Sequence, residues 1–206
     1  MKIIQENKKN IKEIITALKN GAVLVLPTDT VYGLVCDATN NEAVKKVFKI
    51  KNRNKLKPLG VFIKDIKQAK KDAFVDKKQE DFLKKNWPGA VTTILMAKQG
   101  LSPLVYKNNT IGLRVADYNF LNLILENFKK PLAQTSANIS GSPATTKIRE
   151  VIKQFEGKKN KPDIIIDAGN LSRQQSRRGS TTKSGPNNKP SKIIDLTEGG
   201  SRVLRY

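Results

Sequence analysis

Residues 22–34 read AVLVLPTDTVYGL, five aliphatic residues followed at once by a crowd of polar ones. A continuous run of β-branched and aliphatic residues predicts a strand buried on both faces, Ala22 to Leu26, of the kind found inside α/β sheets. Pro27 stops the ladder, and Thr28, Asp29 and Thr30 then offer two hydroxyls and a carboxylate where the strand ends. Ligands of open α/β sheets collect beyond such carboxyl ends. Gly33 permits close backbone approach. An ordinary strand-to-helix turn with Thr28 or Asp29 as N-cap accounts for the same residues.

Outward from that stretch, apolar spacing predicts alternating helices and strands. Ile11, Ile14, Ile15 and Leu18 make an amphipathic helix over about 9–19, and Val44, Val47 and Phe48 one from Asn41 to about Ile50. Strands are expected at Leu59–Ile63, Val91–Met96, Ile111–Val115, Leu132–Thr135, Ile164–Ile166 and Ile193–Leu196, with Val203–Arg205 as an edge. Helices are expected at Gln79–Lys85, Asp117–Phe128 and Thr146–Phe155. With 206 residues and 38% apolar content, this is one α/β domain with a sizeable core. Between Gly169 and Pro190 the composition turns to Ser, Arg, Gln, Asn, Gly and Lys, which predicts a mobile basic loop.

Lys and Arg total 39 against 18 Asp and Glu, a net charge of +21, so polyanions are expected partners and nucleic acid the first among them. Lysine as mere polar filler on a solvated surface is compatible with the same count. The chain has no histidine and one cysteine, Cys36, which removes the commonest metal ligand and general base and any internal disulfide. No run approaches the ~20 apolar residues of a membrane span, and the N-terminus has no signal-peptide core, so a cytoplasmic protein is expected.

Two further segments carry chemistry. KNRNKLKPL places Lys51, Arg53, Lys55 and Lys57 on alternate positions, one side of an extended segment, where Arg gives a bidentate fork and Lys a compact charge to polyphosphate. A solvated basic loop is the alternative. TSANISG, Thr135 to Gly141, offers hydroxyls, an amide and a glycine at a strand end, fit for a phosphate nest or for capping the next helix. Arg114, near the end of IGLRVAD, is costly to bury unless it meets an anion.

PTDTVYGL, KNRNKLKPL, WPGAVT, IGLRVAD, PLAQTSANISG and the late SKIIDLT occur in one chain in one order. The whole chain resembles the YrdC/TsaC family of L-threonylcarbamoyl-AMP synthases. That resemblance implies a single YrdC-like domain over 1–206, a twisted mixed sheet with flanking helices around a basic cavity. It implies a nucleotidyltransferase that condenses L-threonine, bicarbonate and ATP into threonylcarbamoyl-AMP and pyrophosphate, with Mg²⁺ carried by ATP and no protein-bound metal. The product would pass to transfer proteins that modify an adenosine beside the tRNA anticodon. By matched position, Lys51 and Arg53 are the catalytic pair; Thr30, Arg114, Thr28 and Tyr32 hold threonine and bicarbonate; and Arg53, Lys57, Thr110, Ser136, Asn138 and Ser191 hold ATP. Ser180 in Gly179-Ser180-Thr181 competes with Ser191 for that last position. Many members have histidine where Phe62 stands, and the ending Leu204-Arg205-Tyr206 is similar to the terminal element of the short, single-domain form. The contrasting expectation, from charge alone, is a non-catalytic protein that binds tRNA or double-stranded RNA.

Overall fold

The structure is a computed structural model that describes residues 1–171, 190–198 and 200–205. Most of the expected basic loop therefore lies outside the described residues. The strands are β1 (Lys2–Gln5), β2 (Leu24–Leu26), β3 (Gly33–Asp37), β4 (Gly60–Phe62), β5 (Val91–Met96), β6 (Tyr106–Lys107), β7 (Thr110–Arg114), β8 (Leu132–Ser136), β9 (Ile164–Asp167), β10 (Lys192–Asp195) and β11 (Arg202–Arg205). The helices are α1 (Ile11–Lys19), α2 (Asn41–Lys51), α3 (Ile66–Asp72), α4 (Lys77–Asn86), α5 (Asn119–Phe128) and α6 (Ile148–Phe155).

All these strands join one sheet in the order β1-β9-β2-β3-β8-β4-β7-β5-β10-β11, with β6 on β7. The sheet is mixed: β4 runs parallel to β7 and antiparallel to β8, and β2 runs parallel to β9 and antiparallel to β3. Because side chains alternate across a strand, β2 feeds two cores. Val25 packs on one side with Leu34, Val61, Leu113 and Ile165, covered by α2 and α6. Leu24 and Leu26 pack on the other with Val35, Phe62, Leu132 and Ile166, covered by α1 and α5. This is the mixed α/β sheet with flanking helices that the sequence led us to expect.

Three local departures have physical causes. The segment after PTDTVY returns as a strand, β3, paired antiparallel with β2, so Asp29 caps no helix. The apolar core of β3 is only Leu34-Val35-Cys36, too short to carry a period. Helix α3 buries Ala69 alone and shows no apolar stripe; Asp65 starts it by accepting from Gln68 N. Finally, Lys51 is still helical and Asn52 adopts the left-handed conformation (φ 50°) as the α2 C-cap, so 51–57 turns rather than extends and its four cations do not share a side.

The central position of β3 makes a simple test. Replacing fully buried Leu34 by Ala should cost about 2–5 kcal/mol in urea unfolding. The same change at Leu56, 78% exposed, should stay within about 0.5 kcal/mol.

Candidate active site

The turn that ends β2 is built by its own hydroxyls. Thr28 Oγ1 donates to Val31 O (2.6 Å) and accepts from Thr30 N (3.1 Å), closing a compact loop. That fold sends the Asp29 carboxylate inward, where Oδ1 accepts from Arg114 Nη2 at 2.6 Å and Oδ2 from Asp117 N at 3.1 Å. Arg114, at the end of β7, also donates from Nε to Gly89 O (3.0 Å) and from Nη1 to Thr30 Oγ1 (3.3 Å), and its guanidinium lies 5.6 Å from the centre of the Phe62 ring. The side chains of Asp29 and Arg114 are 0% and 2% exposed. The anion that an arginine at a core-strand end requires is supplied by the chain itself.

Lys51 is equally engaged. At the last position of α2 and only 3% exposed, its Nζ donates toward Ser136 O (2.7 Å), Ser136 Oγ (3.3 Å), Asn138 O (3.0 Å) and Asn138 Oδ1 (2.6 Å). Its carbonyl accepts from Ser140 N at 2.8 Å. Lys51 thus fastens the end of α2 to the TSANISG loop. Burial, with a smaller contribution from the charge of Arg53, pushes the ammonium down from its ordinary value to about 7. Arg53, just past the helix, is aimed by main-chain carbonyls: Nε donates to Lys57 O (2.9 Å) and Nη2 to Pro58 O (3.0 Å). Burial and then Arg205 hold its pKa below the usual guanidinium value.

These elements border one cavity of about 170 Å³ on the sheet face that carries Phe62, Arg114, Gln134 and Ser136. Thr28, Thr30, Tyr32, Arg53, Arg114, Ser136 and Ser191 all line it. Other residues named from the sequence stand elsewhere. Lys51 and Asn138 reach it only through Ser136. Lys57 is exposed and contributes a carbonyl to Arg53. Thr110 begins β7, about 13 Å along the strand from Arg114, and its hydroxyl donates to Lys107 O. Tyr32 borders the cavity, but its hydroxyl donates to Gly169 O (2.7 Å) and accepts from Ala168 N (3.1 Å). Ser180 lies outside the described residues.

Sequence reading missed three polar lining residues. Arg205 reaches the cavity because β11 folds back on β10, where its Nε and Nη2 donate to Ser191 O at 3.0 and 2.7 Å. Thr92 shares a 2.8 Å hydrogen bond with Ser191 Oγ. Gln134 lines the floor from β8. Each depends on strand register, for which no local signal exists. Among the described residues, no cluster of three or more His, Cys, Asp or Glu is placed to hold a metal ion, and no helix is long and apolar enough to cross a membrane.

The buried pair makes the turn and β7 one unit. Asp29→Ala leaves a guanidinium buried without its counter-ion and should cost about 3–5 kcal/mol in urea unfolding. Asp29→Ala combined with Arg114→Met should recover part of that loss, which a double-mutant cycle measures directly.

A sequence model of the Sua5/YciO/YrdC family, described as "Telomere recombination", matches residues 16–206. A putative threonylcarbamoyl-AMP synthase of Methanocaldococcus jannaschii is 36% identical over 173 residues, 82% of this chain and 80% of the relative. Among solved structures, Pyrococcus abyssi Sua5 complexed with L-threonine superimposes with a TM-score of 0.82 at 29% identity, over 99% of this chain and 56% of that one. Escherichia coli YciO also gives 0.82, at 25% identity, over 99% and 93%. The chain thus spans about half the length of the Pyrococcus structure and nearly all of YciO. With the motifs, the sheet and the cavity in agreement, the chain belongs to the Sua5/YciO/YrdC family, and its curated relatives are threonylcarbamoyl-AMP synthases, nucleotidyltransferase-type enzymes that use ATP.

Proposed function

We propose that the cavity condenses L-threonine, bicarbonate and ATP into threonylcarbamoyl-AMP, with release of pyrophosphate. The observation that carries this reading is the convergence of three anchored guanidiniums, Arg53, Arg114 and Arg205, on one small cavity. Each is fixed through its Nε and Nη2 to oxygens of the chain and keeps N–H groups for a ligand. Arg114 and Thr30 receive the threonine carboxylate and hydroxyl. Arg53 and Arg205 meet the triphosphate, with Ser136 and Ser191 between them. Lys57, Thr110 and Asn138 belong to the nucleotide side further out.

Thr28 and Tyr32 shape the threonine end, since their hydroxyls are engaged within the chain. Lys51 acts by holding Ser136 and Asn138 in place. Mg²⁺ arrives on the phosphates, because Asp29, the carboxylate in the leading motif, is already shared between Arg114 and Asp117 N. A volume of 170 Å³ is below the ~300–1,000 Å³ of a pocket for a drug-sized ligand, so the amino acid and carbamate fill it while the nucleotide extends through the mouth.

No protein nucleophile is needed. The threonine amine takes up the carbon of bicarbonate with loss of water, and a carbamate oxygen attacks the α-phosphorus while pyrophosphate leaves with the bond pair. Positioning and charge stabilisation carry such a step. We infer that residues 1–206 act as one domain in the cytoplasm and deliver the product to tRNA-threonylcarbamoyl transfer proteins. The +21 charge favours direct contact with tRNA or double-stranded RNA, and it also motivates the second reading, an RNA-binding protein without catalysis.

Pyrophosphate release by the purified protein separates the two. Release that requires both threonine and bicarbonate is expected; none under any combination would leave the RNA binder. Arg53→Ala should lower turnover at least ~100-fold while RNA affinity, measured by filter binding at fixed salt, changes only by the share of one phosphate contact.

A further inference from the structure

The cavity lining contains one carboxamide, and the proposed chemistry leaves it unused. Gln134 sits mid-strand in β8, opposite Gly60 of β4, and its carboxamide lies across that glycine. A β-carbon at residue 60 would stand 2.5 Å from Gln134 Nε2 and 3.4 Å from its Cδ, so the amide occupies this place only because residue 60 has no side chain. Among the described residues, no hydrogen bond engages the carboxamide. A donor and an acceptor thus face a polar cavity without a partner.

Register gives the position its meaning. On the same face of the sheet, Phe62 lies beside Arg114 and across from Leu132, one stride of about 7 Å along β4 from Gly60. Ser136 lies one stride of about 7 Å from Gln134 in the other direction along β8, opposite Gly33. The carboxamide therefore stands between the Arg114 end, where a carboxylate is received, and the Ser136 end, where phosphate is received. In threonylcarbamoyl-AMP formation, the group between the amino-acid carboxylate and the α-phosphorus is the carbamate.

We propose that Gln134 is the residue that binds this carbamate, an inference that rests on the synthase reading. A carbamate presents an N–H donor beside a carboxylate oxygen, and a primary carboxamide presents C=O beside N–H, so the two close a cyclic pair of hydrogen bonds. The reaction supplies the group in balance: the threonine amine and bicarbonate give the N-carboxylate and one water, with the N–C bond formed and a C–O bond of bicarbonate broken. In the next step the P–O bond to the carbamate forms as the bond to pyrophosphate breaks. A neutral partner suits this place. A cation there would hold the carbamate oxygen too tightly for it to attack, and a carboxylate would repel it.

The test compares wild type with Gln134→Ala and Gly60→Ala, the second displacing the amide while keeping it in the chain. Pyrophosphate release is measured against each substrate in turn, and threonine affinity by calorimetry without bicarbonate or ATP. Both variants should lose at least tenfold in turnover and require at least tenfold more bicarbonate, with threonine affinity and the KM for ATP within twofold of wild type. Gln134→Glu should not rescue. The proposal is overturned if Gln134→Ala keeps the wild-type bicarbonate dependence and rate, or if threonine affinity falls in step with activity, which would make Gln134 a reader of threonine itself. Wild type that releases no pyrophosphate would instead sink the synthase reading, and this proposal with it.

Discussion

The ion pair of Asp29 and Arg114 is the constraint around which the site is arranged. Three stretches of chain distant in sequence meet on it: the turn after β2 gives the carboxylate, Gly89 a carbonyl, and the end of β7 with the residues just past it the Arg114 guanidinium and the Asp117 amide. In a buried setting, attraction between opposite charges repays their desolvation only if the remaining donors and acceptors are also satisfied. Here the carboxylate has a partner on each oxygen and the guanidinium has three acceptors, so the buried charge is tolerated. The consequence is functional as much as structural. An arginine already oriented by its own chain presents its remaining N–H groups in a fixed direction, and a ligand carboxylate need not order it.

Lys51 repeats this logic with a different outcome. A lysine in a basic motif at a helix end invites assignment to a phosphate, yet its ammonium is enclosed by oxygens of Ser136 and Asn138. Its charge converts a loop of small residues, which has little packing of its own, into a fixed extension of α2. The depressed pKa follows from the same enclosure: the group has left water, and nearby Arg53 disfavours a second cation. The motif therefore combines two cations of unlike task, one turned inward to hold the loop and one turned to the cavity.

How much of this was legible in the chain depends on whether the signal is local. The aliphatic run before Pro27, the stripe of Phe120, Leu121, Ile124 and Leu125, and the apolar stretch Val91–Met96 have periods or lengths that decide their element, and the structure places strands and helices there within one or two residues for most of them. β3 and α3 were not legible, because three apolar residues or one buried alanine carry no period. The turn at Asn52 was hidden because a left-handed asparagine changes the course of KNRNKLKPL without changing its pattern of charge. For the site, PTDTVYGL, Arg114 and TSANISG stood out since each ends a strand. Arg205 and Gln134 did not, because their place is set by register with Ser191 and Gly60, residues 14 and 74 positions away.

Register also explains why so plain a sheet makes a reaction vessel. β4 is parallel to β7 and antiparallel to β8, so the end of β4 and β7 that carries Phe62 and Arg114 lies beside the start of β8, while the end of β8 that carries Ser136 points the other way. One face of three adjacent strands thereby spans from Arg114 to the loop held by Lys51. Gly60 lies between them, and the space left by its absent side chain admits the only neutral polar amide among the lining residues. A cavity walled by cations alone would bind all its anions strongly and favour none of the steps between them. If the carbamate forms at this carboxamide, as proposed, and the charged ends of the substrates meet the arginines, stabilisation is distributed along the reaction path instead of uniformly over the substrates, which is the condition for binding energy to raise turnover.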